Sequence, residues 1–162
     1  MIPYFFVIEI ERKFLVKNET YKTESIKKQI ITQGYLSSDP KRSVRIRICE
    51  QNAFITIKGE TSTSGTSRYE WEKEINIEDA KQLMLLSLDG VVTKIRHVIH
   101  FKNHTFEVDE FLKENSGLVI AEIELSNENE DFEHPAWLGE EVTGENRYYN
   151  SQLSIHPFKN WS

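Results

Sequence analysis

Residues 7 to 16 read VIEIERKFLV, and the fold turns on where their charges point. Side chains on an extended strand alternate between faces. Glu9, Glu11 and Lys13 therefore share one side, while Ile8, Ile10, Phe14 and Val16 share the other with Arg12 as the lone charge among them. One face is apolar and the other carries two carboxylates and an ammonium, so the question is which of them lies inside.

The same alternation recurs along the chain: IITQGYL from 30, SVRIRICE from 43, AFITIKG from 53, SRYEWEKEI from 67, VTKIRHVIHF from 92, HTFEVDEF from 104 and LVIAEIEL from 118. With the opening stretch these make eight candidate strands. CEQNA and KNH supply hairpin turns between the third and fourth and between the sixth and seventh. A short Lys-rich helix is expected over Thr20 to Gln29. A longer one is capped by Asn76, carries Glu78 and Asp79 in its first turn, runs through Leu83, Leu85, Leu86 and Leu88, and stops at Gly90. Short helical turns are expected around AWLG and RYYNSQL, and GETSTSGTS, residues 59 to 67, reads as a mobile loop.

Each strand sets charges against an apolar face. Arg45 and Arg47 oppose Val44, Ile46 and Ile48, and Thr56 and Lys58 oppose Ile55 and Ile57. Arg68, Glu70, Glu72 and Glu74 oppose Tyr69, Trp71 and Ile75, while Lys94 and Arg96 oppose Ile95 and Ile99. Glu107 and Asp109 oppose Phe106 and Val108, and Glu122 and Glu124 oppose Val119, Ala121 and Ile123. A single strand of this kind is ordinarily a solvated sheet face. Doublets repeated over so many strands suggest a different solution, in which the sheet closes into a barrel, the charges line a tunnel, and helices cover the apolar exterior. The predicted class is α+β: an eight-stranded antiparallel β-barrel with a charged interior and a few flanking helices, in one domain spanning residues 1 to 162.

Such an interior has a chemical use. Arginine pairs fit phosphate oxygens with forked hydrogen bonds, and lysines add point charge. Carboxylates held side by side repel one another unless a divalent cation sits between them, and all-oxygen ligands suit Mg²⁺ or Mn²⁺. Acids for cations and bases for phosphates, in one cavity, describe a site for a polyphosphate with its metal ions.

Composition agrees. The 162 residues include 18 aromatics, enough for one core, and the formal charge of −6 argues against wrapping nucleic acid or lying on an anionic membrane. Cys49 is the single cysteine, so no disulfide framework or thiolate zinc site is expected and a reducing cytoplasm fits. The apolar opening MIPYFFVI lacks a basic leader and is too short for a signal peptide or a membrane span.

Taken in order, these segments resemble the CYTH family, the triphosphate tunnel metalloenzymes. The signature E-x-E-x-K stands at Glu9, Glu11 and Lys13, R-x-R at Arg45 and Arg47, T-x-K-G at Thr56 to Gly59, and R-x-E-x-E at Arg68, Glu70 and Glu72. K-x-R follows at Lys94 and Arg96, E-x-D-x-F at Glu107 to Phe111, and E-x-E at Glu122 and Glu124; the ending VTGENRYYNSQL is similar to that of short bacterial members. The resemblance implies an eight-stranded tunnel and a first divalent ion held by Glu9, Glu11 and Glu124. It implies a second ion near Asp109 and Glu122 to activate the attacking water. Lys13, Arg45, Arg47, Lys58, Lys94 and Arg96 would bind the phosphates and stabilise the transferred group, with Glu70, Glu72 and Glu107 in support. Arg147 either reaches the tunnel as a lid or forms a surface salt bridge.

The implied reaction is metal-dependent hydrolysis of a linear triphosphate, the inorganic one foremost. Thiamine triphosphate, a nucleoside triphosphate, cyclisation of ATP and a non-catalytic polyphosphate-binding module stay open. Part of the outer apolar face leaves room for a homodimer. His97, His100 and His104 are read as surface or tunnel-mouth residues rather than a zinc site, because His97 and His100 fall on opposite faces of one strand. Cys49 fills the tunnel's end, Trp71, Trp137 and Trp161 pack outside, Phe54 narrows the tunnel, and Arg12 is expected to pair with a helix carboxylate.

Overall fold

The computed structural model describes residues 7–87 and 90–162. The opening MIPYFF and Leu88, expected at the end of the longer helix, lie outside that range. Among the described residues nine antiparallel strands form one sheet: β1 (Val7–Val16), β2 (Lys27–Ser37), β3 (Arg42–Cys49), β4 (Asn52–Gly59), β5 (Ser67–Ile75), β6 (Val92–Phe101), β7 (His104–Phe111), β8 (Val119–Glu124) and β9 (Leu138–Glu141). Their order is β5-β4-β3-β2-β6-β7-β8-β1-β9, and β1 also pairs with β5, which closes the first eight into a barrel. The helices are α1 (Tyr21–Glu24), α2 (Ile77–Met84) and α3 (Asn150–Ile155).

The two predicted hairpins are present, each turning through a residue with positive φ, Glu50 at 55° and Lys102 at 54°. Asn76 caps α2 by accepting the Glu78 amide at 2.8 Å, which supplies one of the donors a helix start lacks. The helix ends earlier than its leucines suggest, at Met84. Ala80 packs on Ile46 and Ala53, with Leu83 and Met84 alongside, while Leu85 and Leu86 are exposed. Gly34 on β2 permits that approach, because a Cβ there would stand 2.0 Å from the Ser87 hydroxyl.

Three expectations are corrected. The Lys-rich helix is a single turn, because Lys27 onward pairs with β6. AWLG makes only one hydrogen-bonded turn, the Leu138 amide donating to the Pro135 carbonyl at 3.0 Å, before it enters β9, whose Leu138 and Glu141 pair with Val16 and Phe14. The cause is the short seam between β1 and β5, which pairs only Val7 to Ile10; further along, β1 has a free edge whose backbone groups require partners. The loop over 59 to 67 is tied down, since Ser64, Thr66 and Ser67 all donate hydroxyl hydrogen bonds to one oxygen of Glu128.

The apolar faces point outward, as the alternation predicts. Phe14, Ile99, Phe106, Val108, Ala121 and Ile123 form one core with Tyr21 of α1, Trp137 and Leu138. Arg12 finds its carboxylate on β9 rather than on a helix: Glu141 accepts from Nε at 2.8 Å and from Nη2 at 2.6 Å. His97 belongs to this exterior and not to the tunnel mouth; it is buried, edge-on to Tyr21, with Nε2 3.3 Å from Glu110. Ile8 of β1 and Tyr69 of β5 are more than half exposed on this outer face. No helix among the described residues is long and apolar enough to cross a membrane.

The interior is charged for only part of its length. Phe111 lies opposite Lys94, and Ile120 lies opposite both Asp109 and Leu15, so the inward rows turn apolar towards the start of β6. There Val92, Phe111, Leu118, Ile120 and Val142 cluster with Tyr148 and with Leu153 of α3. This second core stoppers one end of the barrel and carries the C-terminal segment up against the charged cavity.

Candidate functional site

Inside the barrel lies a cavity of about 230 Å³. Seven basic side chains line it (Lys13, Arg45, Arg47, Lys58, Arg68, Lys94 and Arg96), with seven carboxylates (Glu9, Glu11, Glu70, Glu72, Glu107, Glu122 and Glu124). Equal numbers make the wall neutral as a whole, so it matches a polyanion accompanied by cations better than a bare polyanion. Strand register fixes the pattern. Lys13 faces Glu122, Glu11 faces Glu124, Glu9 faces Arg68, Thr56 faces Glu72 and Lys58 faces Glu70, since directly opposed residues on antiparallel strands share a face.

The charges form local networks. Lys13 Nζ lies 2.8 Å from Glu11 and 2.6 Å from Glu122. Burial opposes charge on this ammonium, but the two carboxylates outweigh burial and hold its pKa above the ordinary lysine range. Lys58 Nζ donates to Glu9 at 2.6 Å. Glu72 accepts from the Thr56 hydroxyl at 2.7 Å and from Arg47 at 3.3 Å. The Nε atoms of Arg45 and Arg47 are buried without an acceptor among the described residues, so this wall offers more donors than its carboxylates satisfy.

Asp109 stands behind the wall, 1% exposed, and is not among the lining residues. Its Oδ2 accepts from Lys94 Nζ at 2.7 Å, and the two oxygens take a forked contact from Arg96 at 2.7 and 2.8 Å. Burial favours its neutral form, yet Arg96 and Lys94 prevail and keep it ionised below the usual aspartate range. Lys94 fares differently. Its burial, only partly offset by a carboxylate shared with Arg96, pushes it down to about 8. Arg96 also contacts Glu107 and sits 3.8 Å from Glu122. Burial likewise opposes the charge of Glu122, but Lys13, Arg96 and Lys94 hold it well below the usual glutamate range.

Glu124 makes no ion pair among the described residues. Burial raises its pKa first, and the nearby charges of Glu9 and Glu11 raise it further. Glu107 is also raised by burial, against the pull of Arg96. No three acids stand ready as a metal cage among the described residues, because Glu9 and Glu11 lean on lysines. The donor chemistry nonetheless fits a hard divalent cation: carboxylates that repel one another across β1 and β8 are relieved by one.

Arg147 is not brought to the cavity. It is exposed, stacks on Tyr148 and Trp161 at 4.8 and 4.9 Å, and lies 3.9 Å from Glu145. The same segment instead sends in Tyr149, Asn150 and Ser151, and Asn150 Oδ1 accepts from Lys94 at 2.9 Å. Tyr35 and Ser43 also line the wall. The ending VTGENRYYNSQL marked the region in the sequence, but no periodicity distinguishes Tyr149, which faces in, from Tyr148, which packs in the stopper. Cys49, buried, and Phe54, 5.1 Å beneath the Arg47 guanidinium, lie outside the lining.

Residues 7–154 match the CYTH domain model. The chain is 47% identical over 154 residues to an inorganic triphosphatase of Acetivibrio thermocellus, covering 94% of this chain and 97% of the relative. It is 34% identical over 152 residues to an inorganic triphosphatase of Nitrosomonas europaea, covering 91% and 97%. A solved inorganic triphosphatase structure superposes with a TM-score of 0.66 at 30% identity, over 91% of this chain and 97% of that one.

Proposed function

Because the chain belongs to the CYTH domain family, we propose that it hydrolyses a linear triphosphate, inorganic tripolyphosphate before organic ones, with Mg²⁺ or Mn²⁺. The observation that carries this reading is the neutral wall of seven basic side chains and seven carboxylates around a cavity of about 230 Å³. Pockets for drug-sized organic ligands run to about 300–1,000 Å³ and are mostly apolar. A smaller cavity lined by charge suits a compact inorganic chain. The names of the two relatives support the same choice.

In this reading Glu9, Glu11 and Glu124 hold a divalent cation, with Glu122 beside them on β8. Bound there, the cation supplies charge neutralisation to the phosphate oxygens and lowers the pKa of water. The chain's own residues do the rest. Arg45 and Arg47, with donors to spare, grip phosphate oxygens from β3, Lys58 does so from neighbouring β4, and Lys13 and Arg68 do so from β1 and β5. Lys94 and Arg96 face the group being transferred, and their ammonium and guanidinium offset charge as it develops on its oxygens. Asp109 acts through them: with both oxygens engaged by Lys94 and Arg96, it fixes their direction rather than contacting substrate.

The test is product analysis with purified protein and Mg²⁺ or Mn²⁺, using tripolyphosphate, thiamine triphosphate and ATP separately, with Glu11→Ala as the contamination control. Orthophosphate released fastest from tripolyphosphate, and lost in the variant, is the expected result. Cyclic nucleotide with pyrophosphate would assign a cyclase instead, and binding without turnover would leave a polyphosphate-binding module.

A further inference from the structure

Two spaces meet along four shared residues. The main cavity and a crevice of about 10 Å³ both touch Glu9, Glu11, Arg68 and Tyr149, and the crevice is bounded on its other side by Thr61, Gly65 and Thr66 of the β4–β5 loop. A space of that size holds about one water molecule, so no phosphate group passes through it. The Tyr149 ring stands at the junction, with Lys13 Nζ and the Arg68 guanidinium each 5.8 Å from its centre. Cations at that distance attract an aromatic ring and hold it in place.

The surroundings of the ring are fixed independently of it. Gly65 and Gly144 both take positive φ, 78° and 79°, and meet so closely that a Cβ on Gly65 would lie 2.7 Å from the Gly144 Cα. The loop carbonyl of Thr66 accepts the Glu11 amide at 3.0 Å, and Thr143 accepts the Lys13 amide at 2.9 Å. Tyr149 thus stands where the two spaces adjoin, between segments tied to one another by other contacts.

We propose that Tyr149 is the end-stop of the substrate path, limiting the enzyme to short phosphate chains by closing the passage between the charged cavity and the β4–β5 loop. This rests on the triphosphatase reading above. A chain held by Lys13 and Arg68 runs into the ring and goes no further. Without the ring, cavity and crevice join into an exit lined by Arg68 together with Glu9 and Glu11, and the free end of a longer linear polyphosphate, with its cations, threads out beside the loop.

The experiment compares the wild type with Tyr149→Ala and Tyr149→Phe on tripolyphosphate and on long-chain linear polyphosphate. It measures kcat/KM with Mg²⁺ and, separately, binding of each chain by calorimetry with Ca²⁺ in place of Mg²⁺, under conditions checked to release no orthophosphate. Tyr149→Ala raises the long-chain to tripolyphosphate ratio by about tenfold or more in both measurements, whereas Tyr149→Phe keeps the wild-type ratio because the ring remains. An unchanged ratio in a folded Tyr149→Ala protein overturns the proposal, as does a wild type that takes both chains equally well. Tyr149→Val, which also removes the ring, serves if alanine lowers the melting temperature below that of the assay. Because binding is read without turnover, a protein that binds but does not hydrolyse refutes the triphosphatase reading and still decides whether Tyr149 limits chain length.

Discussion

Replacing Asp109 by asparagine keeps the shape of a buried side chain and removes the charge that Lys94 and Arg96 share. Arg96 cannot shed its proton. It loses a forked ionic contact but retains Glu107 and Glu122, a loss of about 1.5–3 kcal/mol for hydrogen bonds to charged groups. Lys94 has an escape, because burial has already pushed it down to about 8. Without Asp109 it gives up its proton, and each pKa unit is worth about 1.4 kcal/mol. Deprotonation at pH 6.5 therefore adds about 2 kcal/mol beyond what the native site already bears, and at pH 9 it adds nothing, since Lys94 is mostly neutral there in both proteins. The sign follows from proton counting: the variant's folded state binds fewer protons than its unfolded state over a wider range, so its stability rises with pH from 6.5 to 9 more steeply than the wild type's. Urea unfolding at the two pH values should give deficits of about 3.5–5 and about 1.5–3 kcal/mol. A deficit that does not change with pH refutes the assignment of Lys94 as the group that yields.

Two further outcomes test other parts of the molecule. Glu124→Gln removes repulsion with Glu11 and Glu9, so without divalent cations it unfolds at the same or slightly higher urea, by up to about 1 kcal/mol; with Mg²⁺ the order reverses, because the wild type gains more from the ion, and parallel melting curves with and without Mg²⁺ read both. Trp137, fully buried between Tyr21 and Phe106 with its indole N–H donating to Glu24 at 2.9 Å, joins β9 and α1 to the barrel exterior. Trp137→Ala should cost about 3–5 kcal/mol in equilibrium unfolding, and a cost below about 1 kcal/mol would mean this core does not hold those elements.

Much of the barrel is written in the alternation of residues 7 to 16 and its recurrences. Period-two patterning assigns every residue of a strand to a face, and charges of both signs on the inward rows mark a lining whose chemistry suits an anion accompanied by cations. The same reasoning placed Glu9, Glu11 and Lys13 side by side, and they line the cavity together. It could not place Asp109 or Arg147. Alternation gives the face but not the depth, and Asp109 lies one step from the apolar stopper, opposite Ile120, where its oxygens are consumed by Arg96 and Lys94. How far along a barrel the lining changes from charged to apolar depends on the stagger of strands distant in sequence, and on Leu153 and Tyr148 packing against Phe111 and Val92. The C-terminal segment has no alternation to read at all. Which of Arg147, Tyr148 and Tyr149 turns inward is set by the docking of Tyr148 in that stopper, which sends Arg147 to the surface and turns Tyr149 towards the cavity. β9 likewise exists because the β1–β5 seam is short, a property of the closed barrel and of no stretch of sequence alone.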